Sequence, residues 1–375
     1  MPADYAKLDG ETLLKTLEDE AVAKKVSDIH FAPEKESVRL EWRLHGVLQN
    51  LADIHHGAYE AVIRRIKFMS KLKLNITNVP QDGQYTFNVA EKEAEAAGQI
   101  RSINVRVATL PTRLGEKLTL RLLDPKRGII PLQQLGFPQE IAEKLQELIN
   151  LPHGIILVTG PTGSGKTTTL YSLLSTIVGK ERNIITLENP VEYEIKGIVQ
   201  SEIDEPHDYT FASGLRSVLR HDPDVILVGE IRDIETAQTA IDASLTGHLV
   251  LSTLHTNSSI EAVPRLLSMG VPPYTFAPAL RAILAQRMVR TLKDEYRKEG
   301  VTYDPGAQET YGGVTALPEL FLINDELRTM ILMQEQQSTI EQKAREQGFI
   351  SMRDWGEKFV AQRITTKEEI ARVTM

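Results

Sequence analysis

The chain of 375 residues contains no cysteine, no long apolar run and no excess of positive charge. Without cysteine it can form no disulfides and offers no thiolate ligands to a metal. No apolar run reaches the roughly 18–20 residues that a membrane-spanning helix needs, and the N-terminus lacks a signal-peptide pattern. The net charge of −8 argues against a general nucleic-acid binder. We therefore expect a cytoplasmic protein that has no nucleic acid partner and does not insert into the membrane directly.

The composition, with 41% apolar and 25% charged residues, is that of an ordinary globular protein long enough for two or three domains. Its most informative motif is GPTGSGKT at residues 160–167, which fits the phosphate-loop pattern G-x-x-x-x-G-K-[ST]. The β-branched run at residues 155–158 predicts a buried strand before the motif. Leucines on one helical face predict a helix after it.

This loop pattern indicates nucleotide binding, and a chance match becomes less credible with a strand before it and a helix after it. Glycines let backbone N–H groups surround phosphate oxygens, and the N-terminus of the helix adds partial positive charge. Lys166 would reach the β- and γ-phosphates, and the Thr167 hydroxyl would ligate Mg²⁺. The predicted nucleotide-binding residues are Gly160, Pro161, Thr162, Gly163, Ser164, Gly165, Lys166, Thr167 and Thr168.

Three further apolar segments, at residues 184–187, 225–228 and 249–254, also end at chemically useful groups. They are followed by Glu188, by Gly229 and Glu230, and by His255, respectively. Ligands of open parallel sheets bind outside the carboxyl ends of the strands. The sequence therefore predicts an α/β core with a parallel sheet and one site along its edge. Glu230 stands where a Walker B carboxylate would hold Mg²⁺ through water or polarise the attacking water.

The preceding part of the chain has a different pattern, in which strands dominate. Alternation predicts strands at 27–31, 37–44, 84–89, 100–107 and 116–123, with a helix at 59–70. The acidic segment 90–99 fits an exposed hairpin tip or a helical turn. The predicted domains are residues 1–26 (a solvated helix or a flexible lead-in), 27–124 (α+β), 125–150 (linker and helix), 151–292 (the core) and 293–375 (mostly helical, with one strand at 317–323).

Several of these blocks together resemble the ATPases of the type II secretion and type IV pilus superfamily. HDPDVILVGEIRD at 221–233 is similar to the family's Walker B region, TGHLVLSTLHTN at 246–257 to its His box, and residues 184–193 to its Asp box. Segments at 27–30, 80–83 and 110–117 match the domain before the motor core. On these motifs the chain is identified as a member of the superfamily. Residues 266–271 and 284–290 resemble the extension and secretion branch.

The resemblance implies a RecA-like phosphate-loop core, preceded by a smaller PAS-like α+β domain and followed by a small helical domain. It implies an ATPase that uses ATP and Mg²⁺ and works as a homo-hexamer. Such a motor powers assembly of a pseudopilus or pilus through a polytopic inner-membrane platform protein. The protein would then be cytoplasmic and peripheral at the inner membrane.

The family also suggests roles for individual residues. Thr167 and Glu230 would hold Mg²⁺, and Glu230 would orient the attacking water. Arginines of the preceding domain would reach the γ-phosphate, although arginines on alternating strands can equally be solvated or paired locally. His248 fits a structural role as well as a functional one, and Arg216, Arg220 and Arg232 fit subunit contacts or Walker B packing better than chemistry. The predicted catalytic residues are Glu230, Glu188, Glu192, His255, Arg106, Arg113 and Arg121.

Three departures from the family pattern leave alternatives open. Most extension ATPases carry a larger N-terminal module that has no counterpart here. The paired-cysteine zinc motif is missing after Arg290, so no zinc is expected and residues 293–313 must hold their shape without it. Asn189 stands where the Asp box usually has aspartate, so the acidic role passes to Glu188 and Glu192. A weakly hydrolysing regulatory subunit, or a retraction-type or conjugation-type motor, is the alternative.

Overall fold

The computed structural model describes residues 4–90, 100–124, 129–298 and 300–374. The chain divides into two compact units, Met1–Gly128 and Ile129–Met375. Most of the predicted hairpin tip at 90–99 lies outside the described residues. Within the described ranges, no helix combines the length and the apolar character that crossing a bilayer would require.

The described residues of the first unit form a six-stranded antiparallel sheet with two helices. The spatial order of its strands is β3-β2-β1-β6-β5-β4. Alternating apolar residues of the strands share one core with both helices. The elements are α1 (Gly10–Ala23), β1 (Asp28–Pro33), β2 (Val38–Leu44), β3 (Val47–Ile54), α2 (His56–Met69), β4 (Gln81–Ala90), β5 (Ile100–Thr112) and β6 (Gly115–Leu123).

Helix α1 differs from the solvated helix or flexible lead-in that the sequence suggested. Its N-terminus is capped by Asp9, whose carboxylate accepts hydrogen bonds from two backbone N–H groups of the first turn. Leu13 and Leu17 on its inner face are fully buried in the core of the unit. The leucines that seemed to lie among solvated charges therefore pack against the sheet, and only the charged side faces water.

The second unit is built on a seven-stranded sheet in the order β13-β12-β7-β11-β10-β8-β9. Its elements through the last strand are α3 (Gln139–Leu148), β7 (Gly154–Thr159), α4 (Lys166–Ser175), β8 (Ile184–Glu188), β9 (Val199–Glu202), α5 (Phe211–Val218), β10 (Val225–Val228), α6 (Ile234–Leu245), β11 (Leu249–Leu254), α7 (Ala262–Ser268), α8 (Pro273–Ala279), β12 (Leu280–Leu292) and β13 (Tyr311–Leu322). The helices α9 (Asp325–Leu332), α10 (Gln337–Glu346), α11 (Met352–Ala361) and α12 (Lys367–Thr374) complete it.

The four strands predicted from the apolar runs form the centre of this sheet and are parallel, as expected. Successive residues of each strand point into one of two cores, because helices cover both faces of the sheet. The sheet is nevertheless mixed rather than purely parallel, since β13 runs antiparallel to β12 at one edge. Residues 293–375, predicted as mostly helical, contribute β13 as well as α9 to α12.

The polar segment between β12 and β13 is held by hydrogen bonds and ring contacts. The Lys293 N–H donates to the carbonyl of Thr310 at 3.0 Å. The Tyr311 hydroxyl donates to the carbonyl of Pro305 at 3.0 Å, and the Arg290 guanidinium lies 3.9 Å from the centre of the Tyr311 ring. These contacts hold the segment after Arg290, in which the paired-cysteine motif is missing.

Candidate nucleotide site

The phosphate loop connects β7 to α4 and has the backbone that its glycines permit. Gly160, Gly163 and Gly165 have φ values of 144°, 79° and 87°. Residues other than glycine rarely adopt such positive backbone angles. A Cβ on Gly160 would lie 2.5 Å from the backbone oxygen of Gln286. Gly160 therefore meets two demands at once, one of backbone conformation and one of space.

The loop offers the donors that phosphate requires. Among the described residues no side chain caps the N-terminus of α4, so its first N–H groups are available to an anion. The Lys166 ammonium donates to the carbonyls of Gly160 and Pro161, at 2.8 and 3.1 Å. Burial lowers the Lys166 pKa below its usual 10.5; the negative charge of Glu230 opposes this effect and Arg287 adds to it.

Glu230 follows β10, as the Walker B pattern predicted, and its carboxylate contacts two cations or potential cations. One oxygen lies 2.6 Å from a guanidinium nitrogen of Arg232, and the other lies 3.5 Å from Nε2 of His255 at the end of β11. The hydrogen bond from Arg232 to this carboxylate raises the arginine's pKa. The carboxylate is thus fixed between two neighbouring loops.

Glu188, at the end of β8, is buried and fully engaged in hydrogen bonds. The Tyr171 hydroxyl of α4 donates to one of its oxygens. The other oxygen accepts from Thr186 at 2.5 Å and from Gln200 of β9 at 3.1 Å. Burial, together with the charge of Glu188, raises the pKa of Tyr171. Glu188 therefore links α4, β8 and β9 behind the loop.

Six of the predicted site residues of the second unit line one cleft, and these include all four of its predicted catalytic residues, whereas residues 160–165 and Thr168 are not part of its lining. Glu192 belongs to it, and its backbone N–H lies 3.3 Å from the Tyr171 hydroxyl. The cleft is lined by Lys166, Thr167, Leu170, Glu188, Asn189, Pro190, Glu192, Phe211, Leu227, Gly229, Glu230, Thr253 and His255. The carboxyl ends of adjacent parallel strands thus deliver a lysine, a hydroxyl, carboxylates and an imidazole to one place.

The three predicted arginines lie in the first unit, and their part in the site stays a prediction. Arg113 is exposed in the two-residue turn between β5 and β6. Arg106 and Arg121 lie opposite each other on those strands. Arg121 also pairs with the buried Asp28 of β1 at 2.9 Å, so the local pairing that we kept as the alternative does occur.

His248, Arg216 and Arg232 were predicted to serve structural or packing roles rather than chemistry, or structural roles as readily as functional ones. His248 places Nδ1 2.8 Å from the backbone oxygen of Ala243, a contact that fits the structural alternative. Arg216 pairs with Glu235 at 2.7 Å on the exposed surface. Arg232 packs on the Walker B carboxylate as described above, in keeping with the role that we preferred for it.

Sequence reasoning did not identify Gln286 and Arg287 of β12 as site residues. Gln286 is buried and contacts the phosphate loop. Arg287 lies near enough to lower the Lys166 pKa, and it donates to the side chain of Asn257 at 3.0 Å. The only signal was their place within the block at 284–290, which we had used to distinguish family branches.

Comparison with known proteins gives the family. Residues 8–372 match the family described as Type II/IV secretion system protein. The chain belongs to this family. It is 42% identical to the Type II secretion system protein HxcR of Pseudomonas aeruginosa, over 96% of this chain and 76% of the relative. It is 40% identical to the Type II secretion system ATPase E of Vibrio cholerae, over 96% of this chain and 75% of the relative. The predicted family is confirmed.

Solved structures of the family's fold are also similar. The pilus retraction motor PilT, solved with bound ADP, is 27% identical, with a TM-score of 0.65 over 98% of this chain and 97% of that one. The ATPase DotB of Legionella pneumophila is 22% identical, with a TM-score of 0.75 over 100% of this chain and 98% of that one. This second likeness concerns the fold alone. Both agree with the predicted α+β domain followed by an α/β core.

Proposed function

We propose that this protein hydrolyses ATP with Mg²⁺ and powers the assembly of a type II secretion pseudopilus or a type IV pilus. The observation that carries this proposal is the cleft that Lys166 and Thr167 of the phosphate-loop motif line together with Glu230 and His255. Relatives at about 40% identity over most of both chains are named for type II secretion, and one of them is named an ATPase. These names support the proposal of an ATPase that serves type II secretion.

The loop would bind the triphosphate through its main-chain N–H groups and the uncapped start of α4. Lys166 would turn from the loop carbonyls to the β- and γ-phosphates. The charge that develops on the γ-phosphoryl oxygens would thus face a cation held in place beforehand.

Thr167 and Glu230 are proposed to hold Mg²⁺. A hydroxyl and a carboxylate are the hard oxygen ligands that this ion prefers, and both line the cleft beside Lys166. The bound ion would neutralise charge on the phosphate oxygens. Glu230 would also orient the attacking water, with Arg232 fixing one carboxylate oxygen and His255 placed to sense the γ-phosphate.

The remaining predicted residues receive supporting roles. Glu188 and Glu192 are proposed to supply the acidic function of the Asp box. Asn189 lies between them in the sequence, and all three residues line the cleft. Arg106, Arg113 and Arg121 are proposed to offset phosphate charge when the domain that carries them closes on the core.

By resemblance to the family, we further propose a homo-hexamer that acts on a polytopic inner-membrane platform protein. The protein would then be cytoplasmic and held at the inner membrane through that partner. Co-purification of the full chain with the platform protein in detergent tests this. A platform protein that fails to retain the chain, while retaining a known cognate ATPase, would contradict it.

Steady-state phosphate release tests the enzymatic proposal. Lys166→Ala and Glu230→Gln should each lower the rate at least about 100-fold, because the first removes the cation that would offset phosphate charge and the second removes the carboxylate that would orient the attacking water. Lys144→Ala and Glu357→Gln, exposed residues outside the cleft, are the matched controls and should hydrolyse like the wild type. Equal rates for the wild type and both cleft variants would instead favour the weakly hydrolysing regulatory subunit.

A further inference from the structure

The strand beside the phosphate loop carries a buried glutamine that the mechanism above leaves unused. In the pairing of β12 with β7, Ala285 lies opposite Thr159, the last residue of β7. The next residue, Gln286, therefore lies beside Gly160, at the point where the loop begins. Its side chain is completely buried, so its amide group must find hydrogen-bond partners within the protein.

Both ends of this amide contact the nucleotide-binding segment. Nε2 donates to the backbone oxygen of Ser164 at 2.6 Å, and Oε1 accepts from the Thr169 hydroxyl of α4 at 3.0 Å. A carbonyl only accepts, whereas a hydroxyl can donate or accept. The Ser164 carbonyl therefore fixes which end of the amide is nitrogen, and the Thr169 hydroxyl completes the arrangement as a donor.

Backbone and side-chain atoms of β12 also pack against the loop. A Cβ on Gly165 would lie 3.1 Å from Nε2 of Gln286 and 3.2 Å from the sulfur of Met288. As noted above, a Cβ on Gly160 would meet the backbone oxygen of Gln286. Two of the three loop glycines, Gly160 and Gly165, thus lie against β12 and leave little room for a side chain.

The orientation of the Ser164 carbonyl also fixes the direction of the Gly165 N–H, which belongs to the same peptide unit. The peptide unit is planar and trans, so the N–H of Gly165 points opposite to the carbonyl of Ser164. A carbonyl held toward Gln286 directs this N–H away from β12, to the open side of the loop. If the peptide rotated, an oxygen would replace a donor where phosphate oxygens are to bind.

We propose that Gln286 is a positioning residue that sets nucleotide affinity by holding the Ser164–Gly165 peptide with its N–H toward the phosphate. The inference rests on the proposed function, because it assumes that the loop binds a nucleoside triphosphate. It assigns to β12 a part in binding that does not require Gln286 to touch the nucleotide.

The test compares variants of the full chain in equilibrium titrations with ATP and ADP, with thermal unfolding and steady-state hydrolysis measured in parallel. Gln286→Ala leaves the Ser164 carbonyl without its donor and should raise the Kd for both nucleotides, and the KM for ATP, about 10-fold. The kcat at saturating ATP should change less than about threefold, since bound nucleotide selects the correct peptide orientation.

Two further variants separate the contacts. Gln286→Glu keeps an acceptor for Thr169 but places a carboxylate against the Ser164 carbonyl, so it should weaken binding more than the alanine variant. Thr169→Val removes only the hydroxyl that orients the amide, and it should raise the Kd about twofold to threefold. These two variants decide the question if Gln286→Ala does not fold.

Ile283→Val, three residues earlier on β12 and buried in a different part of the core, is the control for a general loss of stability. It should lower the unfolding temperature and leave the Kd unchanged. A Kd for folded Gln286→Ala within twofold of the wild-type value, or an equal rise in Ile283→Val, would overturn the inference. A wild-type chain that binds no ATP would instead refute the proposed function itself.

Discussion

Arg232 holds the Walker B carboxylate of Glu230 at 2.6 Å, although the arginine side chain itself is 59% exposed. The pairing fixes one oxygen of a group that is mostly buried, while the other oxygen faces His255. The pair therefore joins an exposed guanidinium to a mostly buried carboxylate, whose orientation depends on that contact. In the proposed mechanism, an arginine of this kind would act on the reaction through the glutamate rather than through the phosphate.

Arg232→Ala should accordingly lower kcat for ATP hydrolysis about fivefold to tenfold, because the carboxylate loses the group that orients it. The KM for ATP should change little, since the loop and Lys166 are untouched. Arg353→Ala, which removes an exposed arginine of α11 near Glu357, is the control and should match the wild type. A kcat for Arg232→Ala equal to or above the wild-type value would show that the pair does not serve the reaction.

Tyr171→Phe should destabilise the second unit. The variant removes the hydroxyl that donates to the buried carboxylate of Glu188, and a hydrogen bond to a charged group contributes about 1.5–3 kcal/mol. We expect the free energy of unfolding in denaturant to fall by about 2 kcal/mol. Tyr274→Phe, on an exposed tyrosine of α8, should leave it unchanged. A null result for Tyr171→Phe would mean that Thr186 and Gln200 satisfy the carboxylate alone.

The attachment of α12 to β12 should depend on pH. Glu369 accepts hydrogen bonds from Arg290 and Arg372. Burial by itself would raise its pKa, but the hydrogen bonds from Arg372 and Arg290 outweigh this effect and lower it below 4.5. Because the pKa is lower in the folded state, this stabilisation is fully present above 4.5 and is lost as the pH falls through the folded value.

Glu369→Gln should therefore cost about 3 kcal/mol of unfolding free energy at pH 7, where it leaves buried guanidinium charge uncompensated. The cost should shrink as the pH falls from 4.5 through the lower pKa of the folded state, because the wild-type carboxylate then becomes protonated and neutral like the glutamine. Denaturant titrations at pH 7 and at successively lower pH values measure this. A difference between variant and wild type that stays constant with pH would contradict the role of ionised Glu369.

The first unit contains a buried ion pair with a testable energy. The Lys67 ammonium of α2 lies 2.7 Å from both carboxylate oxygens of Glu116 on β6 and also donates to the carbonyl of Ile76 at 2.8 Å. Lys67→Met should lower the unfolding free energy by about 3 kcal/mol, because it leaves a buried carboxylate unpaired. The double variant Lys67→Met/Glu116→Leu should recover most of this loss. Additive single losses in the double-mutant cycle would rule out coupling between the two side chains.

The centre of the second sheet was predictable because each strand is a short apolar run that ends in a functional group. Strand β12 was not. Its sequence, LRAILAQRMVRTL, is rich in alanine, leucine, arginine, glutamine and methionine, all of which favour helices. It is a strand because it pairs with β7 on one side and β13 on the other, and such tertiary pairing overrides local preference. Strand β3 was also missed. It lies at a sheet edge, where its residues show only a weak alternation of buried and exposed positions.

The site was predictable to the same extent. The loop motif and the strand ends brought Lys166, Glu230 and His255 together in advance, because parallel strands place their carboxyl ends at one edge. The contacts of Glu188 with Tyr171 and Gln200 could not be foreseen, since these partners lie on other elements. The same holds for Gln286, whose partners Ser164 and Thr169 lie more than 100 residues earlier in the chain. A buried glutamine shows no periodic signal that separates it from an exposed one.

The contacts of Lys166 with the carbonyls of Gly160 and Pro161 also bear on the proposed binding of a nucleotide. The ammonium already has oxygen acceptors at its half-buried position. Entry of a nucleotide would therefore exchange these carbonyl oxygens for phosphate oxygens. The cost of removing this charge from bulk water is met during folding and not during each catalytic cycle. When the product leaves, the amine would again donate to the carbonyls of Gly160 and Pro161.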